Sequence, residues 1–142
     1  MNIFDAIPHR PPFLLVDEIV SIDATSIRTI KRVDPADPVF KGHFPGHPIL
    51  PGVLICEAIV QSGAILIAHI QRESVGKNSI PTLTRLNNAK FKQMVKPGDV
   101  LDMEVRFKEK LANAFFMEGT AKVGGKTAVS VEFACAAVSV SG

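Results

Sequence analysis

The amino-acid sequence predicts an α+β fold in which a curved antiparallel sheet wraps one long buried helix. Two β-branched apolar segments come first, a long proline-free apolar segment lies near the middle, and four strand-like segments follow it. At 142 residues the chain has the length of one ordinary domain and can bury a hydrophobic core. We therefore expect a single domain over residues 1–142.

The chain is predicted to open with two strands and a long loop. Phe13–Ile22 has the composition of a strand, and Ser26–Val33 alternates like the second strand of a hairpin. Asp34–Gly52 then holds five of the ten prolines, too many for a helix interior or a central strand. Such a long loop inside a domain often carries function.

The central helix is predicted to begin at Val53 and to be apolar nearly all round. The sequence VLICEAIVQSGAILIAHIQR has no proline and follows Pro51, a residue that is common at helix starts. A helix without a polar face must be enclosed by other structure. The segment is long enough to span a membrane, but Glu57, Gln61 and His69 would be costly there, so we expect a core helix.

A polar loop at Glu73–Ser79 is expected to lead into an antiparallel meander. Turn residues at 97–99, 111–113 and 124–125 separate four strand-like segments. We predict strands at about 80–94, 99–109, 113–123 and 126–140.

Charge, cysteines and the N-terminus point to a cytoplasmic protein that does not bind nucleic acid. The net charge is only +2, and the first residues are interrupted by prolines and charges where a signal peptide would be apolar. Cys56 and Cys135 lie in apolar runs without metal-ligand spacing. We expect them to be buried free thiols in a reducing compartment.

Glu57 is the first candidate for chemistry, because it is the only formal charge between Val53 and Ile70. A buried carboxylate is costly unless it is paired or hydrogen-bonded. One interpretation is a structural hydrogen bond to Gln61, one helical turn later. The other is a functional carboxylate, since such groups cluster at active sites.

His43 and His47 lie in the loop just before this helix and are candidates for a general base, although loop histidines are often simply exposed. A metal site formed with Glu57 is disfavoured, because Pro45 and Gly46 prevent the helical spacing of such ligands. His9 and His69, elsewhere in the chain, are expected to be structural.

The start of the helix supplies a third candidate group. Gly52 lets a ligand approach the backbone closely, and free N–H groups at the positive end of a helix can polarise a carbonyl. A base, an acid and an oxyanion site would then lie within a short stretch of sequence. This combination suits proton abstraction next to a carbonyl.

The segment FKGHFPGHPILPGVLICEAIVQ at 40–61 resembles the active-site motif of the Z-type 3-hydroxyacyl-acyl-carrier-protein dehydratases of bacterial fatty-acid synthesis. PHRPPFLLVDEI at 8–19 and NNAKFKQMVKPGDVLDMEV at 87–105 are similar to the family's opening and later signature. The resemblance implies the hot-dog fold, conversion of (3R)-hydroxyacyl-carrier to trans-2-enoyl-carrier, and no metal or redox cofactor. It also implies a homodimer, or a hexamer built as a trimer of dimers.

The resemblance assigns roles residue by residue. His43 matches the catalytic histidine and Glu57 the catalytic carboxylate, which is an aspartate in the sister isomerising type. Gly52 matches the glycine whose N–H meets the thioester carbonyl, and each site takes its histidine and its carboxylate from different chains. Further substrate contacts are expected from Phe44, Val53 and Gln61.

The later signature carries the densest basic stretch, which is predicted to dock the acidic carrier protein. Alternation along a strand would place Lys90, Lys92 and the side chain of Met94 on one face, with Lys96 nearby. A solvated strand edge kept soluble by lysine is the alternative. Thr82 and Leu83 stand where the family often has aromatic residues that gate the tunnel, so chain-length preference is not predicted.

Three other functions remain open at this point. A hot-dog thioesterase would use the helix carboxylate and would not need His43. A hydratase of the double-hot-dog kind has its aspartate before its histidine, the reverse of the order here. A catalytically silent acyl-binding module of a specialised synthase would differ only in an assay.

Overall fold

The computed structural model describes residues 2–71 and 79–139, which form a six-stranded antiparallel sheet around a long helix. The strand order is β1-β2-β4-β5-β6-β3, so the predicted α+β class and the sheet around a helix are confirmed. The elements are α1 (Ile3–Ala6), β1 (Glu18–Ile22), β2 (Ser26–Arg32), a 3₁₀ turn (Pro38–Lys41), α2 (Gly52–Gln71), β3 (Ser79–Phe91), β4 (Val100–Leu111), β5 (Ala114–Val123) and β6 (Lys126–Ser139).

Helix α2 is the centre of the hydrophobic core, as its composition predicted. Its buried residues run without interruption from Ala58 to Ile67, and Ile59, Ile65 and Leu66 have no exposed surface. Burying one such side chain stabilises the fold by roughly 1.5–3 kcal/mol. By length and composition α2 could cross a membrane, but 67% of its most apolar window is buried inside the protein, which is typical of a core helix.

Two glycines allow the helix to pack directly on the sheet. A Cβ at Gly119 in β5 would lie 2.3 Å from Cγ2 of Ile59, and one at Gly63 in α2 would lie 2.6 Å from Cζ of Phe133. Both sites have room for a hydrogen and not for a methyl group. The close helix–sheet contact therefore depends on glycine at these positions.

The observed strand ends differ from the predicted ones where tertiary contacts intervene. β1 begins at Glu18, not at Phe13, because backbone groups of Phe13 and Leu15 bind a side chain of α2. β3 ends at Phe91, and the next residues leave the sheet as the chain turns toward β4. Helix α1 and the 3₁₀ turn were not predicted. The predicted polar loop over 73–79, apart from its last residue, and position 140 of the last strand lie outside the described residues.

Strand β3 forms one edge of the sheet and exposes several large apolar side chains. It pairs with β6 on one side, and Leu83, Leu86 and Phe91 are 42%, 47% and 56% exposed. A long apolar edge of this kind favours pairing with another chain.

The two cysteines are buried and free, as predicted.

Candidate active site

The loop before α2 holds the imidazole of His43 in a defined orientation. Its Nδ1 lies 2.9 Å from the carbonyl oxygen of Ile49. A carbonyl can only accept, so Nδ1 carries a proton, and in the neutral ring Nε2 is left as the basic nitrogen. The ring packs against Phe44 at a centroid distance of 4.1 Å, and the N–H of Leu50 donates to Val95 O at 2.8 Å. The loop thus fixes a base with its free nitrogen pointing away from its anchor.

The start of α2 lies beside an apolar groove of about 560 Å³. The first turn of a helix leaves N–H groups without intrahelical partners, and here those groups belong to Gly52 and Val53. The Val53 side chain is 72% exposed, and the ring of Phe91 lies directly over Gly52, where a Cβ would be 2.5 Å from Cε1. The groove therefore places apolar side chains beside the positive end of the helix. That Gly52 and Val53 bind substrate stays a prediction.

Glu57 projects from the second turn of α2 and is 24% exposed at its side chain. Gln61 donates from Nε2 to Oε2 of Glu57 at 2.9 Å, so the hydrogen bond between i and i+4 is present. Gln61 itself has no exposed surface, which corrects the expectation that it contacts substrate. It lies behind the carboxylate and holds it.

The orientation of the Gln61 amide is fixed by the backbone of the segment before β1. Its Oε1 accepts the N–H of Leu15 at 2.8 Å, which requires Nε2 to lie on the other side. That nitrogen donates to Phe13 O at 2.8 Å as well as to Glu57. Oε2 of Glu57 must consequently be an acceptor, and in the acid form of the residue the proton is carried by Oε1.

His43 and Glu57 of one chain do not contact each other. Within residues 2–71 and 79–139, the ring of His43 contacts Ile49 and Phe44, while the carboxylate of Glu57 contacts Gln61 and His9. The sequence disfavoured a metal site formed by His43, His47 and Glu57. In the part of the chain that the structure describes, no three His, Cys, Asp or Glu side chains are grouped to hold an ion.

Cys135 lies on β6 close enough to Glu57 to feel its charge. Burial raises the pKa of its thiol to about 12, and the negative charge of Glu57 contributes to the same shift. The thiol therefore stays protonated and unreactive at neutral pH. It is part of the wall behind the carboxylate and not a nucleophile.

Lys90 and Lys92 do not share one face, because Lys90 lies in β3 and the strand ends at Phe91. Lys92 lines the apolar groove beside Gly52, whereas Lys90 lines a polar groove on the outer face of the sheet with Arg106. Lys96 is exposed beyond the groove. The predicted face shared by Lys90, Lys92 and Met94 is therefore not formed.

His9 lies at the candidate site, a position that the sequence did not predict. Expected to be structural, it has its Nε2 3.9 Å from Oε2 of Glu57. The two residues are far apart in sequence, so no local periodicity relates them. The sequence signal at His9 is its place in the PHRPP segment, which resembles the family's opening but does not by itself assign His9 a role.

Comparison with known proteins gives consistent similarities over most of the chain. Residues 7–132 match the family model of FabA-like domains. The chain is 44% identical over 139 residues to a 3-hydroxyacyl-[acyl-carrier-protein] dehydratase FabZ from Caulobacter sp. (strain K31), covering 96% of this chain and 84% of that one. A protein of the same name from Rickettsia bellii (strain OSU 85-389) is 43% identical over 135 residues, with coverages of 93% and 90%.

A similarity to a solved structure extends to the whole fold. A chain of the dehydratase heterocomplex ApeI:P from Xenorhabdus doucetiae matches with a TM-score of 0.83 over 97% of this chain and 91% of that chain. The sequence identity is 16%, so this likeness speaks for the fold alone. It confirms the hot-dog architecture that the sequence predicted.

Proposed function

The chain belongs to the FabA-like family as a 3-hydroxyacyl-[acyl-carrier-protein] dehydratase of the FabZ type, and we propose that His43 and Glu57 carry out its elimination in a site shared by two copies. The enzyme acts in fatty-acid biosynthesis on substrates attached to acyl carrier protein. The observation that carries the residue assignment is the pair of anchored groups. Among the residues that the structure describes, neither Nε2 of His43 nor Oε1 of Glu57 has a hydrogen-bond partner.

The proposed reaction is a β-elimination of water. Nε2 of His43 removes a proton from C2 of the (3R)-hydroxyacyl thioester, and the electron pair forms the C2–C3 double bond as the C3–O bond breaks. Oε1 of Glu57 gives its proton to the departing hydroxyl, which leaves as water. The first N–H groups of α2, at Gly52 and Val53, stabilise the charge that develops on the thioester oxygen. The product is the trans-2-enoyl thioester.

A dimer is proposed because one chain does not bring its own base and acid together. The apolar edge of β3, with Leu83 and Leu86 exposed, favours pairing with a second β3. A paired sheet would lay the groove of one copy against the other, so that His43 of one chain meets Glu57 of its partner. Phe44, which is 53% exposed, would then line the acyl path. A hexamer of three such dimers is compatible with this arrangement.

The acyl carrier protein is proposed to dock at the mouth of the apolar groove. Lys92 lies on the groove and Lys96 lies just beyond it, so both can attract an acidic carrier. Lys90 faces the outer groove together with Glu104 and Glu118, which makes it a weaker candidate than the sequence predicted. The carrier's phosphopantetheine arm is the only prosthetic group that the reaction involves. A cytoplasmic location follows from this proposed role.

The activity is tested by incubating the protein with 3-hydroxyacyl-carrier substrate and identifying the product by mass spectrometry. Loss of one water, with the acyl chain still attached to the carrier, is the expected result. Release of a free acid would instead support a thioesterase. An unchanged substrate would support a binding module and would contradict the proposal.

A further inference from the structure

We infer that His9 is a positioning residue for Glu57, acting with Gln61 to hold Oε2 as an acceptor so that Oε1 delivers the proton. This inference rests on the proposed dehydration and names a residue that the reaction scheme above does not use. Its basis is the approach of His9 Nε2 to within 3.9 Å of Oε2, the same oxygen that Gln61 already binds at 2.9 Å.

The tautomer of His9 follows from its surroundings. Its Nδ1 is buried and has no hydrogen-bond partner among the residues that the structure describes. A proton there would be a buried unpaired donor, which is rarer and more costly than an unpaired acceptor. The ring proton is therefore on Nε2, the nitrogen that faces the carboxylate.

Contacts within the N-terminal segment fix the position of the His9 ring. Arg10 donates to the carbonyl oxygens of Phe4, Ile7 and His9 at 2.8–2.9 Å, which closes the segment on itself. The His9 ring stacks on Phe13 at a centroid distance of 6.2 Å and an interplanar angle of 21°. The carbonyl of Phe13 is in turn bound by Gln61, so His9 and Gln61 belong to one connected support.

A distance of 3.9 Å is a contact and is longer than a hydrogen bond. Hydrogen bonds at catalytic groups are often long before substrate binds and shorten in the complex. When Oε1 of Glu57 gives its proton to the leaving hydroxyl, negative charge appears on both carboxyl oxygens. Two N–H donors aimed at Oε2 stabilise this charge and prevent the carboxyl group from rotating.

The test compares His9→Leu with His9→Gln. Leucine keeps apolar contact with Phe13 but has no donor, whereas glutamine can place an N–H near the position of Nε2. We expect His9→Leu to lower kcat on carrier-bound substrate roughly tenfold, the scale of a lost positioning contact, with a smaller change in KM. His9→Gln should recover most of kcat. A packing role alone would make the two variants equal, and that result would overturn the inference.

Two controls separate a role exerted through Glu57 from general damage. In a Glu57→Gln background, His9→Leu should cause no further loss of residual activity, whereas a full additional tenfold loss would refute the coupling. His47→Leu, a change at an exposed loop histidine, should leave kcat near the wild-type value. Thermal unfolding of each variant shows whether the fold is kept.

A measurement independent of turnover distinguishes failure of this inference from failure of the proposed function. In ¹⁵N NMR of the imidazole groups of the wild-type protein, His9 should be the Nε2–H tautomer. Its Nε2 signal should shift on Glu57→Gln and not on His47→Leu. An Nδ1–H tautomer, or a signal unaffected by Glu57→Gln, would overturn the contact even in an active enzyme. If the protein gives the predicted NMR signals but is inactive, the contact between His9 and Glu57 stands and the proposed dehydration is refuted.

Discussion

Replacing Gln61 by methionine should damage both stability and catalysis, because this buried amide joins the fold to the catalytic carboxylate. Methionine has a similar size and length but can neither accept from Leu15 N–H nor donate to Phe13 O. Both backbone groups are bound by Gln61 at 2.8 Å, and Leu15 is only 7% exposed. The substitution therefore leaves the buried N–H of Leu15 and the partly buried carbonyl of Phe13 without their partner.

The expected cost follows from these contacts. The unpaired N–H of Leu15 costs about 1–3 kcal/mol, the partly buried carbonyl of Phe13 costs about 1–2 kcal/mol, and the more apolar methionine offsets about 1 kcal/mol of the sum. We expect the free energy of unfolding to fall by about 3 kcal/mol, which corresponds to a decrease in Tm of about 10 °C for a chain of this size. The carboxylate of Glu57 also loses its 2.9 Å donor, and kcat should fall roughly tenfold.

Ser62→Ala is the matched control for this experiment. Ser62 follows Gln61 on α2, is equally buried, and has its hydroxyl 2.8 Å from that of Thr29. Its loss should destabilise the protein by about 1–2 kcal/mol while leaving kcat unchanged, because neither hydroxyl touches Glu57. Chemical unfolding gives the free energy of unfolding of each variant, and turnover is measured at a temperature well below the Tm of both variants. Equal kcat losses in the two variants, or an unaltered Gln61→Met protein, would refute the reasoning.

Three further predictions concern the groove, the buried thiol and the carrier. Gly52→Ala places a methyl group 2.5 Å from Cε1 of Phe91, so the ring must shift. We expect kcat/KM to fall roughly tenfold, and a wild-type value would show that catalysis does not depend on the position of the Phe91 ring beside Gly52. Cys135 should resist iodoacetamide near pH 9, the ordinary thiol pKa, because burial holds its pKa near 12. Rapid labelling of the folded protein would contradict this burial. As pH rises above the ordinary thiol pKa, Cys135 loses its proton in the unfolded state before it does so in the folded state. The free energy of unfolding should therefore decrease over this range. Lys92→Glu should raise KM for carrier-bound substrate more than Lys90→Glu does and flatten its salt dependence, with little effect on a small thioester. Equal losses on both substrates would argue against docking.

The sequence predicted the large elements because their patterns are local. Proline placement, apolar periodicity and turn residues predicted the long strands β4, β5 and β6 and a helix from Val53, one residue after the observed start of α2 at Gly52. The segment at Phe13–Leu15 was predicted as strand and is not one. Its backbone is bound by a side chain 46 or more positions away, and no local pattern contains that partner.

The candidate site shows the same division between local and long-range information. His43 and Glu57 were singled out from a loop motif and from one charge in an apolar helix, and their catalytic roles stay predictions. The hydrogen bond from Gln61 to Glu57 was one of the two interpretations that the sequence offered, and it is present. The contact from His9 could not be predicted, because His9 lies in the N-terminal segment, far from Glu57 in sequence. Strand alternation failed for Lys92 because it assumed that β3 continues beyond Phe91.

Subunit complementation tests the central claim that His43 and Glu57 act together from two chains. His43→Ala and Glu57→Gln should each lower kcat by roughly 10²-fold or more. After mixing in equal amounts with subunit exchange, half of the dimers are mixed, and each contains one intact site and one doubly altered site. Activity should then return to about a quarter of the wild-type value. If exchange is confirmed with labelled subunits and activity stays at the level of the separate variants, the two residues act from one chain and the account is contradicted.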